Sequence, residues 1–167
     1  MKRLSVIASL SVMLAACSMS LSPEQSSKLD REYRPVVNAF IPECIAAASG
    51  KQPNYAAIRA LGYAQRDAVI GSGVYLAPAG KNQLFSHEGI RFVPGKGCYA
   101  GHDGISGVAL GGMQEIGQVW VRALESAGHR DAGSNPSNFS FVANGVRMNF
   151  AGTRSDGKIT FSITKAE

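Results

Sequence analysis

The hydrophobic period of this chain switches between helical and strand spacing, and that alternation restricts it to a mixed architecture. Val36/Val37, Phe40/Ile41, Cys44/Ile45 and Ala48 recur every four residues, which puts them on one helical face. Ser22-Pro23-Glu24-Gln25 begins that helix: Ser22 can cap, Pro23 suits the first helical position, and Gln25 has capping-box spacing. Pro35 and Pro42 each remove a helical hydrogen bond, so a kink or a restarted helix is expected near Pro42. The segment stops at Ser49-Gly50. A short helix is expected over 54–64, with Ile58 and Leu61 inside. The period then changes, and short β-prone pieces at 73–77, 82–85, 89–93 and 97–100 alternate with turn residues. Residues 101–112 hold five glycines and read as a loop. Helical spacing returns over 113–127, where Met113, Ile116, Trp120, Leu124 and Ala127 share one side. Gly128 ends it. Three last strands follow at 138–143, 146–152 and 158–164. Asn144-Gly145 between the first two suits a type I′ hairpin turn, and Ser155-Asp156-Gly157 makes the next turn.

These elements add up to an α+β fold, with helices packed on an antiparallel β-sheet. Composition agrees: the chain is 45% hydrophobic and 17% charged, and its 19 glycines favour turns over long helices. Ile58-Arg59-Ala60-Leu61 before Arg66-Asp67-Ala68 echoes Val121-Arg122-Ala123-Leu124 before Arg130-Asp131-Ala132. Each block ends a helix ahead of a run of strands, which reads as two helix-then-meander halves. Tandem units of that shape resemble, in layout only, the secreted β-lactamase-inhibitor proteins. The resemblance implies inhibition of a secreted enzyme as one reading, although a fold does not carry its function with it.

The amino terminus has the form of a secretory signal. Lys2 and Arg3 precede an uncharged run, and small residues stand before a cleavage point. The motif Leu14-Ala15-Ala16-Cys17 resembles the lipobox of bacterial lipoproteins. That resemblance implies removal of residues 1–16, thioether lipidation of Cys17 and N-acylation of the new terminus by a palmitate-type chain. Ser18 resembles the residue type of lipoproteins sent to the outer membrane, which implies a location there, facing the periplasm. The implied organisation is a signal peptide over 1–16, a lipidated terminus and short tether over 17–22, and one α+β domain over 23–167. The apolar run is too short to span a bilayer, for which about 20 residues are needed. No later stretch is apolar for that length. Attachment would therefore be through acyl chains, each buried methylene contributing roughly 0.8 kcal/mol.

Export also decides how the remaining cysteines read. Cys44 and Cys98 form an even pair in an oxidising compartment, which predicts a disulfide. Neither lies in a Cys-x-x-Cys motif, which disfavours redox exchange. Without Lys2 and Arg3 the formal charge falls from +5 to +3. No basic cluster accompanies it, so nucleic acid is not an expected partner.

Chemistry-bearing residues are few. His87-Glu88 and His102-Asp103 are the tightest groups of metal-type ligands. Members of each pair are adjacent, so on a strand they would face opposite sides. Both pairs are expected in Gly-rich turns, so no metal or cofactor is assigned. Gly71-Ser72-Gly73 lacks the spacing of a nucleophile elbow. Gly101, Gly104 and Gly107 do not form a dinucleotide fingerprint. Acidic residues number only 12 and are scattered, against a paired-carboxylate glycosidase. Trp120 belongs on an apolar helical stripe and is expected in the core. Tyr33, Tyr55, Tyr63, Tyr75 and Tyr99 are expected to roof that core. A sheet face or edge carrying Tyr75, Arg91 and Tyr99 could take a partner by strand addition.

The expectation is a membrane-anchored envelope lipoprotein that is not an enzyme. It would act as a binding or assembly module for another envelope or secreted protein. The alternatives are a small periplasmic hydrolase or metal-dependent enzyme using His87, His102 and Asp103, and an inhibitor of a secreted enzyme.

Overall fold

The computed structural model describes residues 21–66, 73–76, 87–103, 109–129, 137–155 and 158–167. Its first helix, α1 (Pro23–Ala48), starts with a complete capping box. The Gln25 N–H donates to Ser22 Oγ at 3.2 Å, and the Ser22 N–H donates to Gln25 Oε1 at 2.9 Å. Together they satisfy two of the amides that a helix start leaves open. Leu21, just ahead of the cap, is buried. Contrary to the expected restart at Pro42, α1 is one helix of 26 residues running through both prolines. Pro35 and Pro42 are exposed, as are Arg31 and Asn38, whose carbonyls would have accepted the missing amides. Those carbonyls lie on the solvent side, where water is available to satisfy them. On the other face, buried side chains from Leu29 to Ala48 anchor the helix to the core on both sides of each proline.

Helix α2 (Tyr55–Ala60) is shorter than expected. Asn54 caps it by accepting the Ala56 N–H at 3.1 Å, and the Glu43 carboxylate on α1 accepts the Asn54 N–H. Leu61 caps the other end, and Gly62, at φ +88°, turns the chain into a strand that the sequence pattern did not suggest.

Seven strands form one antiparallel sheet: β1 (Ala64–Arg66), β2 (Gly73–Leu76), β3 (His87–Val93), β4 (Gly97–Asp103), β5 (Asn138–Ala143), β6 (Val146–Ser155) and β7 (Lys158–Lys165). Their spatial order is β1-β2-β3-β4-β7-β6-β5. Helices α1 and α2 precede the meander β1–β4, and α3 (Ala109–Ser126) precedes the meander β5–β7. The two meanders meet where β4 pairs with β7. The layout is thus a helix-then-meander unit used twice. Helix α3 begins inside the stretch that had read as a loop. The proposed strand at 82–85, the loop tip at 104–108 and the turn residues Asp156 and Gly157 lie outside the described residues.

Strand alternation decides which side is buried. In β5, Phe139, Phe141 and Ala143 face inward while Asn138, Ser140 and Val142 face out. Asn144 (φ +53°) and Gly145 (φ +74°) turn it into β6. Both angles are positive, as a type I′ turn requires. At Gly97 (φ +135°) a Cβ would strike the Ile163 carbonyl, so β4 and β7 can approach only through a residue without a side chain.

All three helices cover the same face of the sheet. Trp120 of α3 lies between Phe40 of α1 and the rings of Phe150 and Phe161 on the sheet. Tyr55 of α2 stacks on Tyr75 at 5.1 Å. Cys44 and Cys98 form a disulfide that joins α1 to β4, with Cα atoms 5.0 Å apart. Just above it, the Gly95 N–H of the β3–β4 turn donates to the Ala47 carbonyl at 2.8 Å. Tyr33 is fully buried beside Tyr63. Burial first, then its tyrosine neighbour, pushes its hydroxyl well above the usual range, partly offset by the Trp120 indole N–H. Among the described residues, no helix is long and apolar enough to cross a membrane.

At the solvent end of the helix interface, Asp30 of α1 accepts from Arg34 at 2.7 Å and from Arg122 of α3 at 2.9 Å. Burial alone would raise the Asp30 pKa, but the hydrogen bonds and charges of both arginines outweigh it and hold it below the usual value. A depressed folded pKa gives stability that is present above the unfolded value and lost as pH falls through the folded one. Because 28% of the Asp30 side chain is still exposed, solvent screens the pair. Asp30→Asn is expected to lower stability by about 1 kcal/mol at pH 7. In urea titrations at stepped pH, that difference should begin to shrink as pH falls below about 3.9, the ordinary carboxyl value, and keep shrinking as the folded carboxylate protonates.

Candidate functional site

The uncovered face of the sheet follows from the same alternation. Continuous register carries one row across all seven strands: Arg66, Val74, Arg91, Tyr99, Ser162, Ala151 and Asn138. A second row holds Gly89, Gly101, Thr160 and Thr153, and a third holds Thr164, Asn149 and Ser140. Glycine, alanine and short hydroxyl or amide side chains dominate, so the surface has low relief. Among the described residues, no helix or loop packs across it.

Neighbouring strands partly satisfy its polar groups. Ser140 Oγ donates to Asn149 Oδ1 at 2.7 Å, and Ser162 Oγ donates to the Ala151 carbonyl at 3.4 Å. The Arg91 guanidinium lies 5.2 Å from the centre of the Tyr99 ring. This fixes a cation over an aromatic face, an exposed contact worth about 0.5–1 kcal/mol. Lys158 pairs with Glu88 at 3.0 Å. By register, Arg66, Arg91, Arg147 and Lys158 outnumber Glu88 and Asp103 on this side, and the described face is net positive. A flat, hydroxyl-rich, cationic surface suits an acidic partner held by complementary charge and by many weak polar contacts.

The residues singled out in the sequence fall in different places. Cys17 lies outside the described residues. Tyr75 is buried on the helix side, whereas Arg91 and Tyr99 are on the open side, so the three do not form one surface. Strand addition at those positions is also ruled out by topology, because β2, β3 and β4 each have neighbours on both sides. Among the described residues the edge strands of the sheet are β1 and β5, and β5 carries Val142, which is 61% exposed. Trp120 is core, as its helical stripe indicated.

His87-Glu88 and His102-Asp103 are not in turns. They extend β3 and β4, and the register sets His87 opposite His102. Asp103 stands opposite Lys158, in a different row. Nothing in the hydrophobic pattern marks this pairing, which depends on an irregularity in β3.

Two concavities accompany the sheet. One, of about 570 Å³, is bounded by Asn38, Ile41 and Ile45 of α1, Ala123 of α3, His129 and the β5–β6 turn. The His129 ring rests 5.3 Å from that of Phe141. The other, of about 300 Å³, lies between α3 and the sheet, with Gln114, Gln118, Ser137, Ile159 and Phe161 around it. Among the described residues, no three of His, Cys, Asp and Glu converge as metal ligands would. Compared with known proteins, the chain matches no family, no curated sequence and no solved structure.

Proposed function

We propose that this protein is a lipid-anchored component of a bacterial envelope that binds an acidic protein partner through the open face of its sheet. Leu14-Ala15-Ala16-Cys17 supports the anchor, through its resemblance to a lipobox. The observation that carries the binding role is the row from Arg66 to Asn138: all three helices sit on one side, leaving a broad cationic sheet on the other. The anchor holds the domain beside the membrane, raising the effective concentration of partners confined there. Arg91 over Tyr99 supplies a preformed contact, and the small hydroxyl residues let a partner approach closely.

Two measurements test the halves of this reading separately. Mass spectrometry of the mature amino terminus should find acylated Cys17; a chain starting elsewhere, or without fatty acid, refutes the anchor. A photo-crosslinker placed at Thr160 in the full-length protein should capture one envelope protein. Arg91→Glu combined with Arg147→Glu should reduce that capture at least tenfold, equivalent to about 1.4 kcal/mol. Undiminished capture in the charge-reversed variant refutes the face as the docking surface.

A further inference from the structure

Near its carboxyl end, α3 faces α1 with short side chains. Ala123, Ser126 and Ala127 line one wall of a cavity whose other wall is Ile41, Pro42 and Ile45. Larger residues on α3 would fill that space; these leave about 570 Å³, within the range of sites that take small molecules. The floor is apolar, since Ile41, Ile45, Ala123 and Ala143 are core residues that reach the cavity with little of their surface. Asn38, Asn144 and His129 supply the polar rim, and the His129 ring rests against Phe141. Among the described residues, no carboxylate lines it. One helical turn before Asn38 and Ser126 stand Arg34 and Arg122, on α1 and α3 respectively. Each gives one Nη2 to Asp30, so two guanidinium charges meet one carboxylate and this end keeps a net charge of +1. Their side chains are still 38% and 40% exposed, and among the described residues neither has a second acidic partner. The groove is thus cationic at one end and apolar along its length.

We propose that this groove binds a free fatty acid, its carboxylate held by Arg34 and Arg122 and its chain lying over Ile41 and Ile45 towards His129. The surplus of one positive charge matches a single carboxylate, and the planar fork of arginine suits that group, as its grip on Asp30 already shows. From Arg34 to Ile45 the helix spans about 16 Å, the reach of one extended acyl chain of medium length. Burial of methylenes against the apolar floor supplies the attraction, and the charged end sets the direction in which the chain lies. Asp30 competes with the ligand for the same donors, so it weakens binding while it stabilises the helix pair. The groove is on the helix side of the sheet, so it does not depend on the docking role of the open face.

The probe is dodecanoate carrying a diazirine on its chain, photolysed with the full-length protein in phosphatidylcholine vesicles. Peptide mapping should place the label on Asn38–Ile45 and Ala123–His129. Plain dodecanoate should compete for that labelling at least tenfold better than dodecanol or dodecyltrimethylammonium, which share its chain but not its charge. Ala127→Phe, at an exposed position, should fill the groove and cut labelling at least tenfold with far-UV circular dichroism unchanged. Arg34→Gln with Arg122→Gln should abolish the preference for dodecanoate over dodecanol. Asp30→Asn should have the opposite effect and strengthen competition by dodecanoate, although it weakens the fold. The proposal is overturned by label that maps elsewhere, by labelling that survives Ala127→Phe, or by dodecanol competing as well as dodecanoate in the unaltered protein.

Discussion

Trp120→Ala is expected to destabilise the fold by about 3–5 kcal/mol, the range for deleting a large aromatic from a packed core. Trp120 is completely buried. Its ring stands 6.2 Å from Phe150 and from Phe161, and 6.3 Å from Phe40. It therefore touches both the sheet and the long helix, and its loss separates all three. Collapse into the space is restricted, because Phe150 and Phe161 are themselves stacked at 6.2 Å on adjacent strands. Closing the gap would mean moving the sheet or α1. Trp120 is also the only tryptophan, so the variant removes its own fluorescent reporter. Urea unfolding followed by far-UV circular dichroism is the appropriate measurement, and the melting temperature should fall by on the order of 10 °C. A loss below about 1 kcal/mol would show that α3 does not pack on the sheet through this residue.

The parts of this structure that could be read in the sequence are those settled within a dozen residues. The meander β5–β7 was legible because its inward positions alternate strictly and Asn144-Gly145 admits the two positive φ angles of a tight turn. The stripe of α3 was legible for the same reason at helical period. Distance-dependent choices were not. Pro35 and Pro42 were read as interruptions because their exposure depends on which face of α1 the core takes. Tyr75 reads both as a roof of the core and as part of an open face, because in short strands the inward parity is decided by neighbours; Ile90 and the ring of Tyr55 settle it for the core. The histidines were assigned to turns because glycines flank them, whereas pairing with β7 carries β4 through to Asp103. The open face was least legible of all. Its threonines, serines and arginines come from separate strands, and only the register gathers them.

The disulfide was legible from the cysteine count together with the export that the amino terminus implies, and its removal should rival the loss of Trp120. Cys44→Ala with Cys98→Ala is expected to lower stability by about 4 kcal/mol, the loop-entropy value for a bridge between residues 54 apart in sequence. The effect arises mainly in the unfolded chain. With the bridge intact, the segment containing α2 and β1–β3 remains a closed loop after unfolding, which lowers the entropy gained. Removing the bridge frees that segment and lets the denatured ensemble expand. Two observables should then change in opposite directions: the urea midpoint falls, while the slope of stability against urea rises because more surface is exposed on unfolding. Loss of packing alone would lower the midpoint at constant slope. The Trp120→Ala variant provides that contrast in the same protein. A double cysteine variant with an unchanged midpoint would show that α1 docks on β4 without help from the covalent link.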